Sequence, residues 1–282
     1  MKPIAVAVAV LAALASASLA HGRPPSDGWF VTSDGIRLHY LRLGNHGSPV
    51  VLFHGFAGDA YGNWVSTRVA EELARRHRVF ALDQRGHGAS DKPHDPVVYG
   101  IVRLSMDGVE FLDAVGIRRA HLVGYSMGGS VVQGVVLLAP DRAITATFGG
   151  SGSPEVDPKL ARAAADLDPK GADPAEPSAL ATFLAKPGRD EAALNALQQA
   201  PPPPAGTPNF EPSAVRIPVL AVVGEFDMPY SKTERMRREV PDFGRVILTG
   251  RGHITAPSDP AFGAAIVSFI NAHDHGFDVQ PR

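Results

Sequence analysis

A single serine stands between two glycines in the stretch GYSMGG, from Gly124 to Gly129. An apolar, strand-like run (HLV) precedes this stretch, and a run with helical character follows it. A sharp strand-to-helix turn brings two backbone segments so close that side chains at Gly124 and Gly128 would collide, which explains the glycines. Such a turn pushes Ser126 outward at a helix N-terminus, where amide groups favour negative charge. The spacing therefore predicts a nucleophile.

A serine hydroxyl is a poor nucleophile at neutral pH, so this geometry requires a base. The base should be a histidine that a carboxylate orients. A simpler alternative is that Ser126 merely caps the following helix, since serine is a favoured cap. A cap, however, does not require glycine on both sides.

The elements that must position this serine alternate between strand-like and helix-like segments, which is typical of a parallel sheet with helices on both faces. Two short strands around a turn at residues 33–35 come first, followed by the continuous apolar strand PVVLF. Helical periodicity predicts helices over 64–76 (WVSTRVAEELARR) and over 99–116, the latter ending at Gly116. Further strands are predicted in RVFALD, AHLVG, AITATFGG, IPVLAVVGEFD and GRVILTG, and further helices in MGGSVVQGVVLLAP, KTERMRREV and DPAFGAAIVSFINAH.

A segment of some sixty residues, 153–213, interrupts this alternation and is far longer than an ordinary connection. It is rich in alanine and proline, and its weak hydrophobicity leaves a disordered linker open. Its helix-compatible pieces favour a small helical cap over the edge of the sheet. The run Pro201–Pro204 would then be a stiff return to the core.

The first twenty residues have the pattern of a signal peptide: Lys2, an apolar run, and Ser18 and Ala20 at a cleavage site. We expect residues 1–20 to be removed and the mature chain to be secreted or periplasmic. The chain has no cysteine, so it can form no disulfide. Its formal net charge of −2 over 282 residues gives no electrostatic case for nucleic acid or an anionic membrane surface, and we expect no stable membrane association. The oligomeric state stays open.

Five motifs follow predicted strands in a fixed order. They are HGF (54–56), DQRGHGASDKP (83–93), GYSMGG (124–129), GEFD (224–227) and GRGH (250–253). With these motifs the chain resembles the α/β-hydrolase fold family from about residue 28 to residue 273. A lone G-x-S-x-G motif is weak evidence, but five ordered motifs at strand ends are specific.

The resemblance implies an α/β-hydrolase fold, with a mostly parallel eight-stranded sheet, helices on both faces and a small helical cap. The expected organisation is a signal peptide at 1–20, the N-terminal part of the core at 21–152, the cap at 153–213 and the C-terminal part of the core at 214–282.

The resemblance also implies roles for individual residues. Ser126 would attack a carbonyl carbon, His253 would accept its proton, and Asp227 would orient the imidazole. The backbone N–H groups of Phe56 and Met127 would form an oxyanion hole.

Each of these assignments has a rival. The main rival of Asp227 is Glu155, because some members of the family place the acid after that earlier strand. Among the other histidines, His54 is expected to organise the oxyanion loop and His87 to be structural. The pair His273 and His275 could suggest a metal, but two histidines in a polar tail are usually solvated, and no metal is predicted.

A serine at the turn, where dehalogenases and epoxide hydrolases of the family carry aspartate, argues against those reactions. The favoured activity is hydrolysis of small or medium carboxylic esters, with a small-molecule ester as partner and no cofactor. A lactonase, a cofactor-free perhydrolase or haloperoxidase-like enzyme, and a non-catalytic binding member remain alternatives. The candidates for pocket lining are Phe56, Tyr125, Met127 and Phe148, each of which could equally be core.

Overall fold

The computed structural model describes residues 24–274. The predicted signal peptide and His275 lie outside the described residues, so the expected export stays a prediction. Among the residues that are described, no helix has the length and apolar character needed to cross a membrane.

One eight-stranded sheet forms the centre of the molecule, with the strand order β1-β2-β4-β3-β5-β6-β7-β8. β1 is antiparallel to β2 and β2 is antiparallel to β4, whereas all later pairs are parallel. The predicted mostly parallel sheet is therefore confirmed. Its strands are β1 Ser26–Val31, β2 Arg37–Leu43, β3 Pro49–Phe53, β4 Arg78–Leu82, β5 Ala120–Tyr125, β6 Ala143–Gly149, β7 Val219–Gly224 and β8 Phe243–Leu248.

The central strands are continuous apolar runs because helices cover both faces of the sheet. Every residue of β3, β5 and β7 is buried. Two hydrophobic clusters flank the sheet, one with residues of α2 and α3 and the other with residues of α1 and α8. The helices are α1 Val69–Ala74, α2 Ile101–Ala114, α3 Met127–Leu138, α4 Pro158–Leu167, α5 Glu176–Leu184, α6 Glu191–Gln198, α7 Pro229–Glu239 and α8 Pro260–His273. Short turns of 3₁₀-helix lie at Pro96–Val98, Pro140–Arg142, Pro212–Ala214 and Ala256–Ser258.

The predicted helix over 64–76 is interrupted. A π-helical turn covers Tyr61–Val65, Arg68 adopts a left-handed conformation with φ 67°, and α1 begins only at Val69. The hydroxyls of Ser66 and Thr67 donate to backbone carbonyls one turn earlier, at 2.6 and 2.7 Å. Such local hydrogen bonds compete with a regular helix and bend the chain, which explains the break.

Helices α4, α5 and α6 lie within the segment 153–213, which we call the cap. Asp157 and Asp190 cap α4 and α6 by accepting hydrogen bonds from backbone N–H groups of the first turns. α5 buries none of its residues, and α4 buries only Ala164. α6, by contrast, buries Ala193, Leu194 and Ala196. The cap is therefore joined to the core by α6 and by polar contacts, several of which are at the candidate site.

Candidate active site

Ser126 lies at the turn from β5 to α3 with φ 52° and ψ −116°. A positive φ in a residue other than glycine stores about 1–3 kcal/mol of strain, which is typical of functional positions. A Cβ atom added at Gly124 would lie 2.1 Å from the carbonyl oxygen of Gly128, and one added at Gly128 would lie 2.1 Å from that of Phe53. The predicted reason is thus confirmed for Gly124, whereas Gly128 is required because the start of α3 lies against the backbone of the neighbouring strand β3.

Three side chains that are distant in sequence form one hydrogen-bonded series. The Oγ of Ser126 is 2.9 Å from His253 Nε2, and His253 Nδ1 is 2.8 Å from Asp227 Oδ2. Asp227 is buried, whereas the imidazole is partly exposed. This geometry allows Nε2 to receive the serine proton while the carboxylate holds the Nδ1 proton.

The structure separates these residues from their rivals. Ser126 occupies the N-cap position of α3, but its side chain makes no capping hydrogen bond and instead contacts His253. Glu155 forms an ion pair with Arg238 on α7. Asp227, rather than Glu155, is the carboxylate that contacts the imidazole.

The backbone around His253 is held from two sides. The hydroxyl of Tyr125 donates to the carbonyl of His253, and the two rings are 5.4 Å apart. From the cap, Glu176 accepts the N–H of Ile254 at 2.8 Å, and Asp173 accepts the N–H of Gly252 at 3.1 Å. We call residues 250–255 the histidine loop; the cap and β5 together fix its position.

Two of the candidates for pocket lining lie elsewhere. Phe148 is fully buried in the hydrophobic core, where its ring packs 6.2 Å from that of Phe210, so the expectation that it lines the pocket is wrong. Tyr125 is only 4% exposed and lies against His253 rather than on an open surface. Burial raises the pKa of its hydroxyl well above the ordinary value, which keeps it a hydrogen-bond donor. Met127, the residue after Ser126, and Phe56, the residue after the glycine that lies against Ser126, are both partly exposed.

The oxyanion loop, residues 54–58, lies next to Ser126. A Cβ atom added at Gly55 would be 3.4 Å from the Cβ of Ser126. Within residues 24–274, neither Phe56 N–H nor Met127 N–H has a hydrogen-bond acceptor. Two unpaired backbone donors beside a serine are what an oxyanion hole requires.

Buried histidines hold this loop, as expected for His54 and His87. His54 donates from Nδ1 to Gly55 O at 2.8 Å and accepts the N–H of Gln84 at Nε2 at 3.0 Å. His87 accepts the N–H of Ala57 at 3.1 Å. Burial lowers the pKa of His54, and burial lowers that of His87 to about 3, so both imidazoles are neutral.

The DQRGHGAS turn that carries His87 is itself anchored by buried charges. Asp83 accepts hydrogen bonds from Ala60 N–H at 2.7 Å and from His39. Although burial opposes ionisation, these donors lower the pKa of Asp83. Arg85 is fully buried and forms a bidentate pair with Asp107, with both N–O distances at 2.7 Å.

Sequence reasoning missed the polar residues that hold the two loops from outside. Arg189 of the cap donates to the carbonyl of Ala57 at 2.7 Å, and Lys186 pairs with Asp59. On the histidine side, the missed residues are Asp173, Glu176 and Lys232, the last of which contacts Asp227. None of them belongs to a local motif, so periodicity and strand-end spacing could not identify them.

In the part of the chain that the structure describes, no group of three or more His, Cys, Asp or Glu side chains could hold a metal ion. His273 donates from Nδ1 to the carbonyl of Phe269 at 2.8 Å, within its own helix. That contact is structural.

Comparisons with known proteins agree with the fold. A family model described as the alpha/beta hydrolase fold matches residues 48–173. Epoxide hydrolase A from Mycobacterium tuberculosis is 42% identical over 113 residues, which are 40% of this chain and 34% of that protein. Esterase YbfF from Escherichia coli is 36% identical over 107 residues, which are 38% of this chain and 40% of that protein. The chain spans only 28% to 34% of the length of the first curated relatives.

Similarity to solved structures extends over nearly the whole fold. A serine hydrolase involved in carbazole degradation, the CarC enzyme, superposes with a TM-score of 0.68 at 26% identity, and the match covers 88% of this chain and 100% of that one. With the sheet order, the turn at Ser126 and the matched family model, this similarity shows that the chain has the α/β-hydrolase fold.

Proposed function

We propose that the chain is a serine hydrolase that cleaves carboxylic esters of small or medium size through an acyl-enzyme. The observation that carries this proposal is the hydrogen-bonded series of Ser126, His253 and Asp227, with distances of 2.9 and 2.8 Å. A serine joined to a histidine that a buried carboxylate orients is an activated nucleophile.

In the acylation step, Ser126 Oγ attacks the ester carbonyl carbon and its proton passes to His253 Nε2. The C–O bond to the alcohol then breaks, and His253 returns the proton to the departing alkoxide. Asp227 stays ionised and stabilises the imidazolium that exists between these two transfers.

In the deacylation step, a water molecule replaces the alcohol. His253 accepts a proton from this water as it attacks the acyl carbon, and then gives the proton to Ser126 Oγ as the acid leaves. Serine and histidine return to their starting states, so the cycle needs no other reactant.

Both steps place negative charge on the carbonyl oxygen. The N–H groups of Phe56 and Met127, which have no acceptor within the described residues, would donate to this oxygen. Each such donor typically contributes about 3 kcal/mol of transition-state stabilisation. The peptide groups of Ala57 support the position of the first donor, because the Ala57 N–H donates to His87 and the Ala57 carbonyl accepts a hydrogen bond from Arg189.

The type of nucleophile distinguishes ester cleavage from epoxide opening, which the relatives' names leave open. Opening an epoxide through an alkyl-ester intermediate requires a carboxylate nucleophile. Ser126 offers a hydroxyl at this position, which suits acyl transfer. The similarity to an esterase is consistent with this choice.

The expected size of the acyl group rests on the cap. Its helices are short and leave leucines exposed, among them Leu160, Leu180 and Leu184. A mildly apolar cover of this kind suits short or medium acyl chains or small aromatic esters.

The test combines a fluorophosphonate probe with p-nitrophenyl esters from acetate to palmitate. We expect the probe to label Ser126, and Ser126→Ala to lose ester turnover by about 10³-fold or more. Ser130→Ala, a substitution on the next turn of α3, is the matched control and should retain activity. Residual turnover of Ser126→Ala within tenfold of the wild type would contradict the proposal.

Two further arms separate the alternatives. Hydrolysis of lactones, assayed in parallel with the esters, would identify a lactonase. Bromination of monochlorodimedone in acetate and peroxide would identify a perhydrolase. Absence of probe labelling would favour a binding protein.

A further inference from the structure

Lys232, on the first turn of α7, contacts the carboxylate that orients the imidazole. Its Nζ donates to Asp227 Oδ1 and, at 3.0 Å, to the carbonyl of Gly150. The other oxygen, Oδ2, is 2.8 Å from His253 Nδ1. Asp227 is therefore shared between a lysine and a histidine, with one oxygen for each.

The lysine is held in this position by the backbone around it. Met228 adopts a left-handed conformation with φ 49° and ends the turn after Asp227, and Lys232 N–H donates to Met228 O at 3.1 Å. A Cβ atom added at Gly152 would lie 2.1 Å from the carbonyl oxygen of Lys232, so the segment after β6 packs tightly against α7. Asp168 caps α7 by accepting the N–H of Tyr230 at 2.8 Å.

The side chains of Lys232 and Asp227 are only 17% and 6% exposed, so water screens their interaction weakly. In the described chain, Lys232 is the only cationic side chain of lysine or arginine that contacts Asp227. Other ionisable groups on the elements packed around the site are Tyr125 on β5, Asp168, Asp173 and Glu176 of the cap, Glu225 after β7, and Arg251 of the histidine loop, which pairs with Asp259.

A lysine in this place has two effects on the imidazole. It fixes the carboxylate, so that Oδ2 stays aligned with Nδ1. It also offsets part of the negative charge that would stabilise a protonated imidazole.

We propose that Lys232 is a positioning residue that aligns Asp227 and extends the working range of the His253 base toward acid pH. This inference rests on the proposed function, because the base must act on Ser126. A carboxylate without this lysine would favour the protonated, inactive imidazole more strongly.

The charge can be removed without removing the alkyl chain. Lys232→Met and Lys232→Gln eliminate the charge, Lys232→Arg keeps it, and Lys159→Met removes the charge of an exposed lysine on α4 as the control. The readout is the second-order rate of fluorophosphonate labelling of the full chain as a function of pH, with circular dichroism to verify folding.

We expect the acid limb of the labelling profile to move to higher pH by about 0.5–2 units in Lys232→Met and Lys232→Gln. This range follows from one unit charge that acts across a single carboxylate, in a medium between water and a protein surface. Lys232→Arg and Lys159→Met should keep the wild-type limb.

Two other outcomes would contradict the role of Lys232, and a third would contradict the proposed function as well. If the acid limb is unchanged in both uncharged variants while the wild type is labelled normally, the proposed role of Lys232 is wrong and the proposed function is unaffected. If the acid limb of Lys232→Arg moves by the same amount as that of the uncharged variants, the shape of the side chain rather than its charge is responsible, and the proposed role of Lys232 is also wrong. Absence of labelling in the wild type overturns both the proposed function and this inference.

Discussion

Removing one oxygen atom, in Tyr125→Phe, tests whether Tyr125 positions the histidine loop or lines a pocket. Its hydroxyl is the one described donor to the carbonyl of His253. The ring is only 4% exposed, so phenylalanine can fill the same space. The substitution therefore leaves one carbonyl unpaired next to the imidazole, with little change in packing.

The expected magnitude follows from that unpaired carbonyl. A buried polar group without a partner costs about 1–3 kcal/mol. Because the imidazole of His253 is 33% exposed, water can reach part of the loop, and we expect the lower part of that range, about 1–2 kcal/mol. The free energy of unfolding should fall by about that amount. If the same energy is lost from the alignment of the imidazole, kcat falls by about five- to thirtyfold.

The assay is the measurement of kcat and KM for p-nitrophenyl acetate, butyrate and octanoate. A positioning role lowers kcat by the same factor for all three esters and leaves KM nearly constant. A pocket-lining role would change KM with chain length instead. Tyr40→Phe is the matched control, because Tyr40 is a half-buried strand tyrosine whose hydroxyl has no hydrogen-bond partner within residues 24–274. An unchanged kcat in Tyr125→Phe, or a loss equal to that in Tyr40→Phe, would refute the reasoning.

Two further predictions concern the cap and the buried histidines. Glu176→Ala removes the acceptor of the 2.8 Å hydrogen bond from Ile254 N–H and should lower kcat about fivefold. The control Glu191→Ala, on α6, should leave kcat unchanged. Equal kcat values for the two variants would count against a role of the cap in holding the histidine loop. Because burial lowers the pKa of His87 to about 3 from an unfolded value of about 6.5, the unfolded chain binds the proton first, and stability falls as pH decreases from about 6.5 toward 3. Urea unfolding at pH 7, 6 and 5 should show a loss of up to about 1.4 kcal/mol per pH unit from this residue, which His87→Gln should remove; the same slope in both proteins would contradict the buried neutral imidazole.

Local sequence patterns predicted the sheet well because each signal lies within a few residues. The apolar runs of β3, β5 and β7 are buried on both faces, and such runs are recognisable without knowing their neighbours. The glycines around Ser126 are also a local requirement of one turn. The positions of Asp227 and His253 at strand ends were predicted from ordered motifs, and the structure brings both to Ser126.

The predictions that were wrong or absent concern residues whose role depends on a partner that is distant in sequence. Phe148 is the penultimate residue of β6, yet its side chain is buried in the core, and a position near a strand end does not by itself decide between core and pocket. The contact of Lys232 with Asp227 depends on the left-handed turn at Met228. The break before α1 results from hydroxyl groups that bond back to the preceding turn, against a periodicity that favours one helix.

The cap contacts the segments on both sides of Ser126. Asp173 and Glu176 hold the histidine loop, while Arg189 holds the oxyanion loop and Lys186 pairs with Asp59 directly after it. A cap transplanted from another protein of this fold would therefore bring a new cover to the candidate site but would also release both loops. Successful chimaeras of this chain should have to carry these four polar residues with them, so substrate range and turnover rate cannot be redesigned independently here.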